Sequence, residues 1–222
     1  FYNPSSAIPL RMFEYGPPKS DPESVLDELV SRAMDLRLRV LGFDSDRSTT
    51  AYRVINSDGD GLSGLSVDKF DDVLSVEVSS LAAAQRISRW LPQMHRRLGT
   101  RSHILQCSEQ MQTAEQINLA ELQDSLRSVS RNAPEQVRIS EHGLQYAVNF
   151  RSGHKTGFFC DQRENRRRFG ALTYGKRVLD LCCYTGGFAL AAVRGGATEV
   201  LGIDLDEAAI AQVCHLLLRW CV

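Results

Sequence analysis

The stretch Arg177-Val-Leu-Asp-Leu-Cys-Cys-Tyr-Thr-Gly-Gly-Phe188, followed by Val200-Leu-Gly-Ile-Asp204, constrains this chain more than any other. An apolar run, a glycine turn, a helical stretch and a second apolar run ending in a carboxylate read as strand, turn, helix, strand. In a parallel unit of this kind a ligand sits beyond the C-terminal ends of the strands, where the turn and the carboxylate lie. The expected fold class is therefore α/β, a central β-rich α+β domain followed by the N-terminal half of a Rossmann-like domain. The expected boundaries are residues 1–19 as a remnant and linker, 20–150 as the central domain and 151–222 as the cofactor domain.

Glycines in the turn let the backbone approach a ligand and enter a helix whose first N–H groups are free. Asp204 ends the second strand near the ~20-residue offset at which an acid grips ribose hydroxyls. A tight turn with a helix-capping Asp204 is the plainer alternative. A dinucleotide fold prefers Gly-x-Gly-x-x-Gly, so that backbone can admit a pyrophosphate. The turn Cys183-Tyr-Thr-Gly-Gly-Phe188 lacks that spacing and carries bulkier residues. NAD is disfavoured, and a nucleoside cofactor without pyrophosphate, such as S-adenosylmethionine, fits better.

Composition narrows the remainder. The 222 residues carry 26 basic and 27 acidic side chains, so a nucleic-acid partner must be met by a local patch. The six cysteines form no Cys-x-x-Cys pair, which disfavours zinc and suggests reduced, buried thiols in a cytoplasmic protein. No secretory pattern or apolar run near ~20 residues is present, so no membrane partner is expected.

Along the chain, Asp21 or Ser20 caps a helix that starts at Pro22 and buries Val25, Leu26, Leu29, Val30, Ala33 and Met34. Strands follow at Tyr52–Asn56, Leu65–Val67 and Val73–Val78, then a helix over Ala82–Leu98 and a strand at His103–Cys107. Glu109–Arg131 reads as loop with partial helix. Val137–Glu141 and Leu144–Phe150, joined by His142-Gly143, make a hairpin. A helix from about Asp161 to Leu172 precedes the βαβ unit, and another is expected over Glu207–Trp220.

Gly153-His-Lys-Thr-Gly-Phe-Phe-Cys-Asp-Gln-Arg-Glu-Asn165 and Val178-Leu-Asp-Leu-Cys-Cys-Tyr-Thr-Gly-Gly-Phe-Ala-Leu190 closely resemble class I methyltransferases of the RlmI type, bacterial 23S ribosomal RNA cytosine-5 methyltransferases. Asp58-Gly-Asp-Gly-Leu-Ser-Gly-Leu-Ser-Val-Asp68 is similar to their central domain, and Phe1–Arg11 to the end of their PUA RNA-binding domain. The resemblance implies that Lys155, Thr156, Gly157, Phe158, Asp161 and Arg163 form an entrance strip against the cofactor. It implies that Tyr184, Thr185, Gly186 and Gly187 line the methionine end and that Asp204 holds the ribose; Asp180 is a further cofactor-binding candidate. Arg163, Arg166 and Arg167 share a helical stripe, with Arg166 and Arg167 as RNA-contact candidates and a plain solvated face as the alternative.

Cytosine-5 chemistry needs a cysteine thiolate to attack C6 and a base to remove the C5 proton. The resemblance puts that cysteine and its Asn/Asp-Pro-Pro loop beyond residue 222, so the expectation is a chain shortened at both ends and lacking the nucleophile. Cys160 is expected to pack, and Cys182 and Cys183 to act as small hydrophobes. Two strands alone leave an apolar face uncovered, so the segment after Gly153 is expected to dimerise or aggregate. Ribosomal RNA is the implied partner. A non-catalytic RNA-binding module and an NAD-type oxidoreductase are the competing readings.

Overall fold

The computed structural model describes residues 1–13, 21–129, 131–150 and 158–211. These fall into two compact units: residues 1–47 with 53–134, and residues 48–52 with 135 onward.

In the first unit a helix, α1 (Pro22–Asp35), begins where Asp21 accepts a hydrogen bond from Glu23 N at 3.1 Å, with Pro22 in the first turn. Strand β1 (Ala51–Asn56) starts in the second unit's segment and continues into the first. It neighbours β2 (Leu65–Phe70), which runs antiparallel to β3 (Val73–Val78). Helices α2 (Leu81–Ala84) and α3 (Ile87–Leu98) then return the chain to β4 (Ser102–Gln106), parallel to β3. Such a crossover is what parallel pairing demands. Val54, Val67, Leu74 and Val76 are fully buried, as are Val30 of α1 and Leu91 of α3. Along α1 and α3, Asp27 accepts from the Trp90 indole at 2.9 Å, and Glu23 and Asp35 pair with Arg86 and Arg97.

The single helix expected over residues 82–98 is two, interrupted at Gln85-Arg86 with neither glycine nor proline at the break. The polar stretch after β4 holds two short helices, α4 (Glu109–Glu115) and α5 (Leu119–Leu126). Ser108 and Asn118 cap them through Met111 N and Glu121 N. Their periodicity is weak because few of their residues are buried. The N-terminal segment pairs with itself, Tyr2 against Leu10. Buried Glu115 anchors it by accepting from Asn3, Ser6 and Arg11.

The His103 ring on β4 lies 5.7 Å from that of His95, tilted by 45°, and His95 Nδ1 lies 2.8 Å from Thr100 Oγ1. Burial, then the neighbouring imidazole, pushes His103 down to about 4. Between about 4 and the ordinary value of 6.5, the unfolded chain takes up a proton that the folded chain refuses. Stability contributed here is thus present above pH 6.5 and lost as pH falls toward 4. Between pH 7.5 and 5, His103→Phe should lose less stability than the parent, by on the order of 1 kcal/mol after solvent screening, read as a smaller drop in melting temperature. Equal losses in both proteins would dismiss the effect.

The second unit carries the hairpin β5 (Gln136–Glu141) and β6 (Leu144–Asn149), helix α6 (Arg163–Gly170), strand β7 (Arg177–Leu181), helix α7 (Gly187–Arg194) and strand β8 (Glu199–Ile203). The sequence groups the hairpin with the central domain. In the structure it sits in this unit because residues 48–50 run beside it. Thr50 N donates to Ser140 O at 2.8 Å, Ser140 N to Thr50 Oγ1 at 2.9 Å, and Gly143 N to Ser48 O at 2.8 Å. Helices α6 and α7 meet so closely that a Cβ on Gly195 would lie 2.0 Å from Gly170 O.

Strands β7 and β8 are parallel, Leu179 opposite Leu201, as the βαβ pattern requires. One face of the pair is apolar and uncovered among the described residues, as two strands alone imply. Leu179 is 56% exposed, Leu181 64% and Leu201 55%, because β7 and β8 form a sheet of two strands with one bare face.

Candidate functional site

At the C-terminal end of β7 the chain turns through Cys182, Cys183, Tyr184, Thr185 and Gly186 into α7. Three alternate residues of this turn are left-handed: Cys182 at φ 59°, Tyr184 at 47° and Gly186 at 69°. Glycine adopts that region freely, whereas other L-residues pay about 1–2 kcal/mol for it. A search for glycine spacing sees only Gly186. The turn nevertheless has the alternating left-handed geometry that glycines ordinarily supply, with Cys182 and Tyr184 at two of its three positions.

Cys182 corrects the reading of both thiols as buried small hydrophobes. Cys183 is buried but Cys182 is exposed, because the strand ends at Leu181 and the turn has begun. An exposed residue usually tolerates substitution within about ±0.5 kcal/mol. Here the backbone decides: Cys182 already carries the left-handed cost, so Cys182→Gly should be neutral or stabilising by up to about 1 kcal/mol, while β-branched Cys182→Val, which tolerates that region least, should fall below the parent. Urea midpoints check this, and equal midpoints for the two variants would contradict it.

Two carboxylates brace the turn. Asp180 on β7 accepts from Ala189 N at 2.9 Å, in the first turn of α7. Burial, then opposed by that hydrogen bond and assisted by Asp204, raises its pKa above the ordinary value. Asp204, just past β8, accepts from Tyr184 N at 2.7 Å through one oxygen and from Asp206 N at 2.9 Å through the other. These two backbone bonds, one to each oxygen, orient the carboxylate. Gly186 N closes the turn on Cys183 O at 2.8 Å. Gly187 opens α7 against the Arg166 stem, whose Cδ would lie 2.9 Å from a Cβ there.

Lys155, Thr156 and Gly157 lie outside the described residues. Phe158 is buried, its ring 4.8 Å from Tyr146 and beneath the Arg166 guanidinium. Asp161 is exposed. Phe159, absent from the expected site, stands edge-on to Tyr184 with ring centroids 5.6 Å apart, and so joins the strip to the turn. The sequence gives it no signal beyond an aromatic pair in the strip.

The arginine stripe does not face outward as a set. Arg163 is buried and donates to Thr49 Oγ1 at 3.1 Å. Arg166 is buried and grips Glu141 with two hydrogen bonds, Nε to Oε1 at 2.7 Å and Nη2 to Oε2 at 2.6 Å. Of the two RNA-contact candidates only Arg167 is exposed, on Glu164 at 2.9 Å. Cys160 is buried, 3% exposed.

Turn, strand order and paired carboxylates together define the first part of a Rossmann-like cofactor fold. Residues 118–214 match the family model described as S-adenosylmethionine-dependent methyltransferase. Over 94% of its length the chain is 34% identical to a ribosomal RNA large subunit methyltransferase of Deinococcus radiodurans, covering 51% of that protein. Over 72% of its length it is 36% identical to ribosomal RNA large subunit methyltransferase I of Aeromonas salmonicida, covering 40% of it. The chain thus spans about half the length of the curated relatives it matches. Among solved structures, one described as a methyltransferase complexed with SAH superposes with a TM-score of 0.69 at 25% identity, over 91% of this chain and 50% of that one. Another, described as a SAM-dependent methyltransferase from Streptococcus mutans, gives 0.68 at 24% identity with the same coverage and supports the fold. The likeness to RlmI-type methyltransferases read from the sequence is shown by these matches.

Proposed function

We propose that this chain is part of an S-adenosylmethionine-dependent methyltransferase that acts on large-subunit ribosomal RNA, at cytosine C5. The observation that carries the reading is the Asp204 carboxylate, fixed by Tyr184 N and Asp206 N beside a left-handed turn at the ends of two parallel strands. The family match over residues 118–214 and the relatives' names support it.

Residues present fit the cofactor. The oriented Asp204 carboxylate suits a ribose diol, and Tyr184, Thr185, Gly186 and Gly187 suit the methionine end, over Asp180. Phe158, Asp161 and Arg163, with Lys155, Thr156 and Gly157, make up the proposed strip. The cofactor, when bound, supplies a sulfonium methyl for transfer. This chain's residues orient it and hold the ribose at Asp204. Arg167 is the RNA-contact candidate that remains exposed. Among the described residues no helix is long and apolar enough to cross a membrane. The reading implies work on ribosomal RNA in the cytoplasm, with homodimerisation through the bare β7–β8 face as an accompanying expectation.

Calorimetric titration with S-adenosylmethionine, S-adenosylhomocysteine and NADH tests the reading. Saturable binding of the first two and not the third is expected. Salt-sensitive binding of single-stranded RNA by folded protein that takes up neither would favour a non-catalytic RNA-binding module instead.

A further inference from the structure

A cavity of about 310 Å³ opens in the second unit between the β5–β6 turn, α6 and α7. None of Tyr184 to Gly187 lines it, nor does Asp204. Its apolar floor comes from Leu144, Ala171 and Ala191, and its polar groups from both helices and the turn.

The polar groups are unequal in sign. Glu141 is the acid in the wall, and both its oxygens are taken by Arg166. Backbone carbonyls at the helix ends are used as well. Gly170 O accepts from Thr173 Oγ1 at 2.8 Å, Arg167 O from Ala171 N at 3.3 Å and Ala191 O from Gly195 N at 2.9 Å. What remains are donors. Arg194 gives one hydrogen bond to the neutral carbonyl of His142 and has no acidic partner among the described residues. Arg167 engages Glu164 through Nε and leaves the rest of its fork open. Arg163 Nη2 lies 3.4 Å from His142 Nδ1. A guanidinium can only donate, so Nδ1 accepts and the neutral ring carries its proton on Nε2. That Nε2 is buried without a hydrogen bond and faces Glu164, whose Oε1 lies 3.7 Å away, so it is not counted among the open donors.

Two guanidinium forks, Arg167 of α6 and Arg194 at the end of α7, thus keep unused donors beside an apolar floor. An oxyanion with several oxygens satisfies such a set, and arginine forks match phosphate. The volume is at the lower end of the ~300–1,000 Å³ of small-molecule sites. No aromatic ring other than His142 lines the cavity, so the recognised feature is the phosphate and its sugar rather than a stacked base.

We propose that this cavity is a second ligand site, separate from the turn, that binds a phosphate group carried on a small sugar-sized body. The same chemistry is presented by a free nucleoside monophosphate and by one backbone step of an RNA strand.

The test titrates the full chain with inorganic phosphate, cytidine monophosphate and a short single-stranded RNA lacking terminal phosphates. Each titration is repeated on Arg194→Gln and Ala171→Leu. The first removes the charge but keeps a donor for His142 O; the second fills the floor from an exposed position and leaves every charge in place. Circular dichroism and melting establish that both variants fold. Saturable binding of at least one probe, weakened about tenfold or more in both variants, is expected from loss of one charge-assisted bond or of the space. Binding of the monophosphate alone assigns a free nucleotide, and binding of the RNA assigns a strand. No saturable binding to the parent overturns the site. So does binding that persists unchanged in either folded variant.

Discussion

Replacing Glu141 by alanine should destabilise the protein by about 3–5 kcal/mol, the largest effect expected of any single substitution here. The side chains of Glu141 and Arg166 are 2% and 5% exposed, and their two hydrogen bonds are short and parallel. Burial by itself would push the Arg166 guanidinium down. The hydrogen bonds and charge of Glu141 outweigh that and hold it above its ordinary value. Without Glu141 the buried cation keeps, among the described residues, the Phe159 carbonyl 2.9 Å from Nη2 and the Phe158 ring beneath it, neither of them charged. The pair is not thereby a source of net stability, since desolvation offsets much of its attraction. A Glu141→Leu, Arg166→Met double variant should therefore recover most of the loss. Asp124→Ala is the contrast: its i,i+3 pair with Arg127 is exposed and should cost under about 1 kcal/mol. Urea midpoints decide, and a Glu141→Ala protein within 1 kcal/mol of the parent would refute the account.

The second large effect concerns the cofactor reading. Asp204→Ala should abolish measurable S-adenosylmethionine binding. Two charge-assisted bonds to a ribose diol, at roughly 1.5–3 kcal/mol each, correspond to about 10²–10⁴ in affinity. Alanine also strips the acceptors from Tyr184 N and Asp206 N, so lost binding has a structural explanation to exclude. Asp204→Asn serves that purpose. Its one carbonyl oxygen still holds a backbone N–H, and its charge is gone. An Asn variant that melts like the parent yet binds at least about 30-fold more weakly would locate the loss in ribose recognition. Parent-like affinity in both variants would assign Asp204 to the turn alone.

The residues show which parts of this structure a sequence can announce. Asp21-Pro22 signals a helix start by local chemistry, and α1 begins there. The hairpin follows from alternation around His142-Gly143, and the βαβ unit from apolar runs about a glycine turn. Arg166 is different. In an Arg166-Arg-Arg168 run it reads as one more solvated charge, and only Glu141, brought across from another element, makes it a buried ion. The left-handed Cys182 and Tyr184 were equally hidden, since the conformation belongs to the turn and not to the residue types filling it. The break between α2 and α3 carries no glycine or proline to mark it. Orientation of Asp204 by two backbone donors likewise depends on where β7 and β8 end relative to each other.

The bonds from residues 48–50 to the hairpin have a consequence for the order of assembly. Thr50 and Ser140 are 90 residues apart, and Thr49 and Arg163 are 114 apart. Everything from Arg53 to Pro134 is an excursion within the second unit's own chain. During synthesis the early segment emerges long before its neighbours and must wait, unpaired, until the hairpin follows. Closing so long a loop costs entropy that only late contacts return, which makes this a slow step. A cut between residues 134 and 135 would not liberate the second unit. It would deprive Ser140, Gly143 and Arg163 of their partners and leave the hairpin with an open edge.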